Sequence, residues 1–365
     1  MILIKQIISE LENFAPMALQ ESYDNCGALT GNVNEECTGA LLTLDCTEEV
    51  VNEAIANNCN LIVAHHPILF KGLKKITGSN YVERTIILAI KNNICIYAIH
   101  TNVDNVINGV NAKIAQKLGL TNLKILAPKS QMLCKLVTFV PEKHHQKVAD
   151  ALFEAGCGNI GNYSSCSFNS KGTGTFKGND ISNPFIGEPQ KLSIEPEVRL
   201  ETVFYTHLKN KVITALKNNH PYEEVAYDIF ENNVDVSTIG SGMVGDLENE
   251  LNLNDFLINV KNSLNLKVLK HTISDKKTIK KVAICGGSGV FLLKNAINSG
   301  ADAYITSDIK YHEFFDAENK LVLIDAGHYE TEQFTPEIFY SIIQNKFPTF
   351  AIRLSKINTN PVNYF

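Results

Sequence analysis

Short apolar runs alternate with stretches of helical apolar spacing over the first third of the chain. Runs of four to six apolar residues predict buried strands, and apolar residues three or four positions apart predict helices. Strands that alternate with helices imply an α/β layer with a largely parallel sheet. The predicted helices are Ile2–Phe14, Glu48–Asn57, Val82–Asn92 and Gly109–Leu118, and the predicted strands are Leu41–Leu44, Leu61–Ala64 and Ile94–Ile99.

The pattern changes after Pro128 and changes back near Gly240. The middle segment predicts the order β-α-β-β-α-β of a ferredoxin-like module, interrupted by a stretch rich in Gly, Ser and Asn from Gly156 to Gly187. Beyond it, SGMVGDL is turn-like and the α/β alternation returns. The later predicted elements are helices at Leu253–Leu264, Phe291–Ser299 and Pro336–Gln344 and strands at Val282–Cys285, Ala303–Thr306 and Leu321–Asp325.

The first and third segments resemble two copies of one unit. In each, a strand is followed by a His-x-x-x-acid sequence, namely His100 to Asp104 and His328 to Glu332. The fold predicted is therefore α/β: two pseudo-symmetric α/β lobes that form a cleft, with an α+β domain inserted between them. The predicted domains are a first lobe at 1–127, the inserted domain at 128–238 and a second lobe at 239–365.

Composition limits the possible classes of protein. The chain has 365 residues, of which 44% are apolar and 20% charged, so it can bury two or three domain cores and is not a disordered chain. A net charge of −6 disfavours a general nucleic-acid binder. No signal-peptide core or membrane-length apolar run is found, and the nine Cys form no CxxC pair, which together favour a cytoplasmic location.

Four His and two acids follow three of the predicted strands: His65, His66, His100, Asp104, His328 and Glu332. Ligands of open α/β sheets collect beyond the carboxyl ends of the strands. Imidazole mixed with carboxylate suits Zn, Mn, Fe or Co, and five or six ligands suit two metal ions that activate water. The competing interpretations are an ordinary surface loop for the adjacent His pair and helix-capping or salt-bridged roles for the acids.

Other residues are candidates for supporting roles. Asp308 could orient a ligating His, His312 could shuttle a proton, and the glycine loop at 286–289 could bind an anion or could simply form a tight turn. Neither Cys26 nor Cys285 has an evident activating base, so a Cys nucleophile is not expected. Further candidates are Lys71, Lys74 and Lys75 for a substrate phosphate or a solvated surface, and Asp24 and Asp45 for the cavity wall.

Six segments of the sequence form a recognisable set of motifs. They are YDNCGAL (23–29), AHHPILFKGLKKI (64–76), HTNVDNVINGVNAKIA (100–115), ICGGSG (284–289), ITSDIKYHEFFDA (305–317) and DAGHYETE (325–332). On these motifs the chain resembles the GTP cyclohydrolase 1 type 2 homologs, the YqfO/YbgI-like family. The middle segment, with GTGTF, NPFIG and HPYEE, looks like the inserted PII/CutA-like domain of the longer members. Tyr23 is a departure, since many members carry Trp there.

The resemblance implies a site of two divalent metal ions per chain, with zinc expected first and Mn, Fe or Co as alternatives. It also implies a ring-like homohexamer and hydrolytic opening of the GTP imidazole ring by metal-activated water, with His312 as a candidate acid. His100 would then be a close catalytic neighbour of the metals. The ligands carried over are His65, His66, Asp104, His328 and Glu332.

Two further classes of function remain open at this stage. A metal-binding regulatory or scaffold protein would use a PII-like domain to sense a small molecule and would form no product. Association with DNA through a ring-shaped oligomer is disfavoured by the net charge of −6. Phosphoester and amide hydrolysis suit a two-metal site as well as ring opening does.

Overall fold

The computed structural model describes all 365 residues and separates into two compact units. The first unit comprises residues 1–128 and 237–365, and the second comprises residues 129–236. Up to its first exit, the chain forms α1 (Ile4–Phe14), β1 (Gly27–Thr30), β2 (Ala40–Thr43), α2 (Glu48–Ala56), β3 (Leu61–Ala64), α3 (Tyr81–Lys91), β4 (Cys95–Ala98), α4 (Thr101–Asp104), α5 (Val110–Leu118) and β5 (Leu120–Lys129).

The remaining elements follow in chain order. The second unit contains β6 (Leu133–Pro141), α6 (His145–Glu154), β7 (Ser167–Lys177), β8 (Leu192–Tyr205), α7 (Lys209–Asn219) and β9 (Tyr227–Asn232). The chain then forms β10 (Val236–Asn252), α8 (Leu253–Ser263), β11 (Lys270–His271), β12 (Thr278–Ser288), α9 (Leu293–Asn298), β13 (Ala303–Ser307), β14 (Val322–Asp325), α10 (His328–Glu332), α11 (Thr335–Lys346) and β15 (Ile352–Leu354).

One sheet of the first unit has the strand order β1-β4-β3-β2-β15. Strands β2, β3, β4 and β15 are parallel, and β1 is antiparallel to β4. Every residue of β2, β3 and β4 is buried, as expected for parallel strands that are covered on both faces. One face packs against α2 and α3, and the other packs against α1.

The other sheet of this unit has the order β11-β14-β13-β12-β10-β5. Strands β12, β13 and β14 are parallel, and β10 is antiparallel to β12. A single hydrophobic cluster includes Leu42 and Tyr97 of the first sheet and Ile284 and Val322 of the second. The shared core fixes the two sheets together, so their carboxyl ends can contribute side chains to one site.

The second unit has a four-stranded sheet of order β7-β8-β6-β9 in which all neighbouring strands are antiparallel. Its element order is β-α-β-β-α-β. Leu136 and Leu200 of the sheet share a hydrophobic cluster with Val148 of α6 and Val212 of α7. The helices therefore cover one face of this sheet.

The α/β fold class is confirmed, while several local expectations are corrected. The SGMVGDL segment is not a turn but the centre of β10, where a Cβ on Gly245 would lie 2.8 Å from the Thr121 carbonyl oxygen. Glycine is required there by the close approach of β5. The Gly-rich middle stretch contains β7. Strands β5 and β15 were not predicted, because polar residues interrupt the apolar ones of β5 and β15 is only three residues long. None of the helices combines the length and apolar character that spanning a membrane requires.

Candidate metal centre

His65 continues the line of β3 into the site. Its backbone N–H donates to the Thr43 carbonyl, and its side chain is completely buried. The ring Nδ1 lies 3.0 Å from the Ile99 carbonyl oxygen. A carbonyl oxygen only accepts hydrogen bonds, so Nδ1 carries the proton and the lone pair of Nε2 faces the site.

His66 bridges the two sheets. Its Nδ1 lies 2.7 Å from Asp45 Oδ1, just beyond β2, and its Nε2 lies 3.0 Å from Glu332 Oε2. Its Nε2 is also 3.4 Å from Nε2 of His328. Two imidazole nitrogens and a carboxylate oxygen from distant parts of the chain therefore converge on one point.

His328 and Glu332 lie one turn apart on α10, the short helix that follows β14. The Nε2 of His328 lies 3.1 Å from Glu332 Oε2, and its Nδ1 lies 2.6 Å from Asp308 Oδ2. Gly287 of β12 leaves the room that this pair occupies, because a Cβ there would lie 2.3 Å from Glu332 Oε1. The N–H of Gly287 donates to the Thr331 hydroxyl, which holds the strand against the helix.

Asp104 and His100 complete the cluster from the end of β4. Asp104 Oδ1 lies 3.7 Å from Nε2 of His65, and both atoms are buried without a hydrogen-bond partner. The His100 ring lies 5.1 Å from the His65 ring, and its Nδ1 lies 2.9 Å from Asp24 Oδ1. Asp24 also accepts from the backbone N–H of Thr101, so its position is fixed.

The imidazoles differ in protonation because their partners differ. Burial lowers the pKa of His65 to about 4. Burial also opposes the charge on His66, but hydrogen bonds with Asp45 and Glu332 raise its pKa to about 10. The pKa of His328 rises to about 11 because hydrogen bonds with Asp308 and Glu332 outweigh its burial.

The pKa values of Asp104 and Glu332 shift in opposite directions. Burial raises the pKa of Asp104, and the negative charge of Glu332 raises it further. Burial would also raise the pKa of Glu332, but hydrogen bonds from His328 and His66 and the positive charge of His328 hold it well below its ordinary value. The site thus gathers the Glu332 carboxylate and two protonated imidazole rings. A metal ion could displace the protons of these rings, and bonds to the metal would then replace their hydrogen bonds to Glu332.

The donor set fits divalent metal ions. Two groups of three side chains offer ligand atoms within 4.8 Å of one another: His65, His66 and His100, and His66, His328 and Glu332. Three rings direct Nε2 inward while a carbonyl or carboxylate binds Nδ1, the arrangement that orients metal-binding His. The unpartnered His65 and Asp104 atoms would both gain a partner if a cation were bound between them.

Several candidate residues lie away from this cluster. His312 is exposed, and its ring packs against Tyr311 and Phe315. The exposed loop after His66 carries Lys71, Lys74 and Lys75.

The buried cysteines are poor nucleophiles. Burial raises the pKa of Cys26 to about 12, and burial also raises the pKa of Cys285. Each is farther from the thiolate form than a free cysteine, in agreement with the expectation from the sequence.

Residues 355–365, the C-terminal segment, were not expected at the site. Thr359 donates to Asp45 at 2.6 Å, and Asn360 and Tyr364 both donate to Glu330. The segment borders a 610 Å³ cavity that His66, His328 and Asp308 also line. Its sequence, SKINTNPVNYF, carries no periodic signal that would have revealed this position.

Comparison with known proteins finds one matching family and similar proteins over nearly the whole chain. The model of the family described as Duf34/NIF3 (NGG1p interacting factor 3) matches residues 2–361. A "GTP cyclohydrolase 1 type 2 homolog" of Halalkalibacterium halodurans is 38% identical over 98% of both chains. The Bacillus subtilis protein of the same name is 38% identical over 99% of this chain and 98% of its own.

Solved structures show the same similarity. A Bacillus cereus protein related to NIF3 has a TM-score of 0.87 and 38% identity, covering 100% of this chain and 99% of that one. The Staphylococcus aureus protein SA1388 has a TM-score of 0.80 and 30% identity, with the same coverage. Both similarities extend over the whole length of the chain.

Proposed function

The chain belongs to the Duf34/NIF3 family, and on that premise we propose that it is a dinuclear-metal hydrolase acting on a nucleotide. The reaction proposed resembles that of GTP cyclohydrolase 1 type 2, the hydrolytic opening of the GTP imidazole ring. Support comes from the name that the 38% identical relatives carry and from the metal-binding chemistry of the cluster.

One observation carries the proposal. His65 Nε2 and Asp104 Oδ1 are buried 3.7 Å apart with no hydrogen-bond partner, beside an inward-facing cluster that includes Glu332. Leaving buried polar atoms unsatisfied costs about 1–3 kcal/mol each. A cation bound between them would remove that penalty, which is the reason to assign the site to metal.

The metal ligands proposed are His65, His66, Asp104, His328 and Glu332, for two divalent ions with zinc first and Mn, Fe or Co as alternatives. When bound, such a pair lowers the pKa of water and polarises the bond under attack. The carboxylates that bind the Nδ1 atoms of His66 and His328 keep these rings oriented and electron-rich.

Proton transfer to the leaving nitrogen is assigned to His100 or to His312. His100 is favoured because its ring lies 5.3 Å from the His66 ring and Asp24 fixes its orientation. In the described chain His312 packs against Tyr311 instead. His100→Ala should therefore lower turnover by about 10²–10⁴-fold with metal content kept, whereas His312→Ala should leave turnover near the wild-type rate.

The test combines metal analysis with a product screen on one sample. We expect about two metal ions per chain, with release of formate from GTP. Phosphate release instead would indicate a phosphohydrolase, and bound metal with no product would favour the regulatory alternative. His65→Ala should remove metal and turnover together, and turnover by a metal-free variant would refute the proposal.

The architecture carries a linked proposal. We assign the two sheets of the first unit to pseudo-symmetric lobes and residues 128–238 to a PII/CutA-like insert, with six chains in a ring. Light scattering should then give about 240 kDa, six times the 40.4 kDa of one chain. A monomeric mass at micromolar concentration would contradict the ring.

A further inference from the structure

A cavity of 770 Å³ lies in the second unit. It opens on the face of the sheet opposite α6 and α7. Gly172 and Gly174 of β7 pair with Glu197 and Glu195 of β8 and line this face without side chains. The alternating glycines of GTGTF therefore hollow out one face of the sheet.

Glu197 forms the polar floor of this cavity. It is only 7% exposed, and one of its oxygens accepts from the Tyr222 hydroxyl at 2.8 Å. A Cβ on Gly174 would lie 2.2 Å from its other oxygen, so glycine gives the carboxylate its room. A carboxylate has about four acceptor sites, so a further donor can be bound there.

Aromatic rings form the walls. The Phe176 and Tyr222 rings lie 5.5 Å apart, and Phe139 and Phe185 also line the cavity. The faces of aromatic rings attract cations, most strongly where water is excluded. Rings beside a buried carboxylate form the kind of cage that binds an organic ammonium ion.

The charges of the lining agree with a cationic ligand. Two of the three lining cations are engaged by acids outside the cavity, Lys171 by Glu142 at 3.1 Å and Arg199 by Glu201 at 2.9 Å. The positive charge of Lys177 alone remains to balance three lining carboxylates, those of Glu197, Glu223 and Glu224. An anionic ligand would meet net repulsion here, whereas an ammonium group would compensate the buried charge.

We propose that this cavity is a binding site for a small organic ammonium ion, with Glu197 as the counter-ion and Phe176 and Tyr222 as the aromatic walls. None of the residues that line it belongs to the metal cluster, and the proposal does not depend on the function assigned to that cluster. The ligand class is an amine joined to an apolar or aromatic group of a size that the cavity accommodates.

The test uses phenethylammonium as the probe on the full chain, with phenethyl alcohol and 3-phenylpropionate as neutral and anionic controls. Calorimetric titration should show the ammonium binding about tenfold or more tightly than the alcohol. Glu197→Gln keeps an acceptor for the Tyr222 hydroxyl and should weaken the ammonium by about tenfold while sparing the alcohol. Glu188 provides the matched control, because its carboxylate pairs with exposed Lys191 outside the cavity. Glu188→Gln should change the affinity for neither the ammonium nor the alcohol.

A second variant fills the space instead of removing the charge. A Cβ on Gly172 meets no atom within 4 Å, so Gly172→Leu should fold, keep its metal and lose the ammonium. Equal affinity for ammonium and alcohol, no binding at millimolar probe, or unchanged binding in both variants would overturn the proposal. A change of oligomeric mass in Gly172→Leu would also overturn it, since the cavity face would then be an interface between copies of the chain.

Discussion

Replacing Gly287 by Ala should damage the metal cluster without touching any ligand. The new Cβ would lie 2.3 Å from Glu332 Oε1, whereas a Cβ contact needs at least 3.0 Å. The carboxylate must therefore move by about 0.7 Å, well beyond the tolerance of about 0.2 Å for metal–ligand distances. We expect metal affinity to fall by about 10–100-fold, or roughly 1.4–2.8 kcal/mol.

Backbone strain must be separated from this displacement. Gly287 has φ +59°, a conformation that costs a residue with a Cβ about 1–2 kcal/mol. Gly119 is a matched control, because it has φ +71° and a Cβ there would meet no atom within 4 Å. Gly119→Ala should lose the same folding stability in urea yet bind metal as the wild type does.

The assay is a zinc titration against a competing chelator, run beside urea unfolding of each variant. Chelator competition reports the affinity of the site, and unfolding reports the strain that the two alanines share. If Gly287→Ala bound zinc as tightly as Gly119→Ala, Glu332 would not need its present position to hold metal. The assignment of Glu332 as a ligand would then be refuted.

Other consequences follow from the same contacts. Asp45→Asn or Asp308→Asn should each weaken metal binding by about 10–100-fold in chelator competition, because a neutral amide no longer polarises the ring beside it; unchanged affinity would contradict that role. Bound metal displaces protons from His66 and His328, whose pKa values are about 10 and about 11. Metal binding at pH 7 should release about two protons per chain, and the metal affinity should weaken as the pH falls. Calorimetry in buffers of different ionisation enthalpy measures the proton release, and metal binding without any proton release would refute this prediction. Ending the chain after Ile357 removes three hydrogen bonds to Asp45 and Glu330. This truncation should lower the free energy of unfolding by about 1–3 kcal/mol and leave metal binding unchanged. Loss of metal binding would instead make the C-terminal segment part of the site.

Local patterns of apolar residues predicted many of the strands and helices of the fold. Fully buried four-residue strands such as Leu61–Ala64 are continuous apolar runs, and helices such as Glu48–Ala56 have clear apolar spacing. Their alternation indicated the α/β class. Strands whose partners are distant in sequence gave no such signal: β15 joins the first sheet by pairing with β2, about 300 residues earlier.

The candidate ligands were also visible in the sequence, because each follows a predicted strand and such ends collect ligands in α/β sheets. Sequence order could not supply the distances. His66 and His328 are 262 positions apart, yet their Nε2 atoms lie 3.4 Å from each other. Sequence order also could not identify the acids that orient the imidazole rings. Asp24 and Asp45 were only candidates for the cavity wall, and the structure shows that they form hydrogen bonds with His100 and His66.

The sequence by itself therefore determined the fold class, the family and the chemical types gathered at the strand ends, because periodicity and short motifs are local properties of the chain. Only the tertiary structure decided which atoms face one another. The inward Nε2 atoms, the unpartnered pair of His65 and Asp104 and the approach of residues 355–365 all depend on packing between distant segments. Burial and hydrogen-bond partners then set the charges, because burial lowers the pKa of His65 to about 4, whereas Asp45 and Glu332 raise that of the adjacent His66 to about 10.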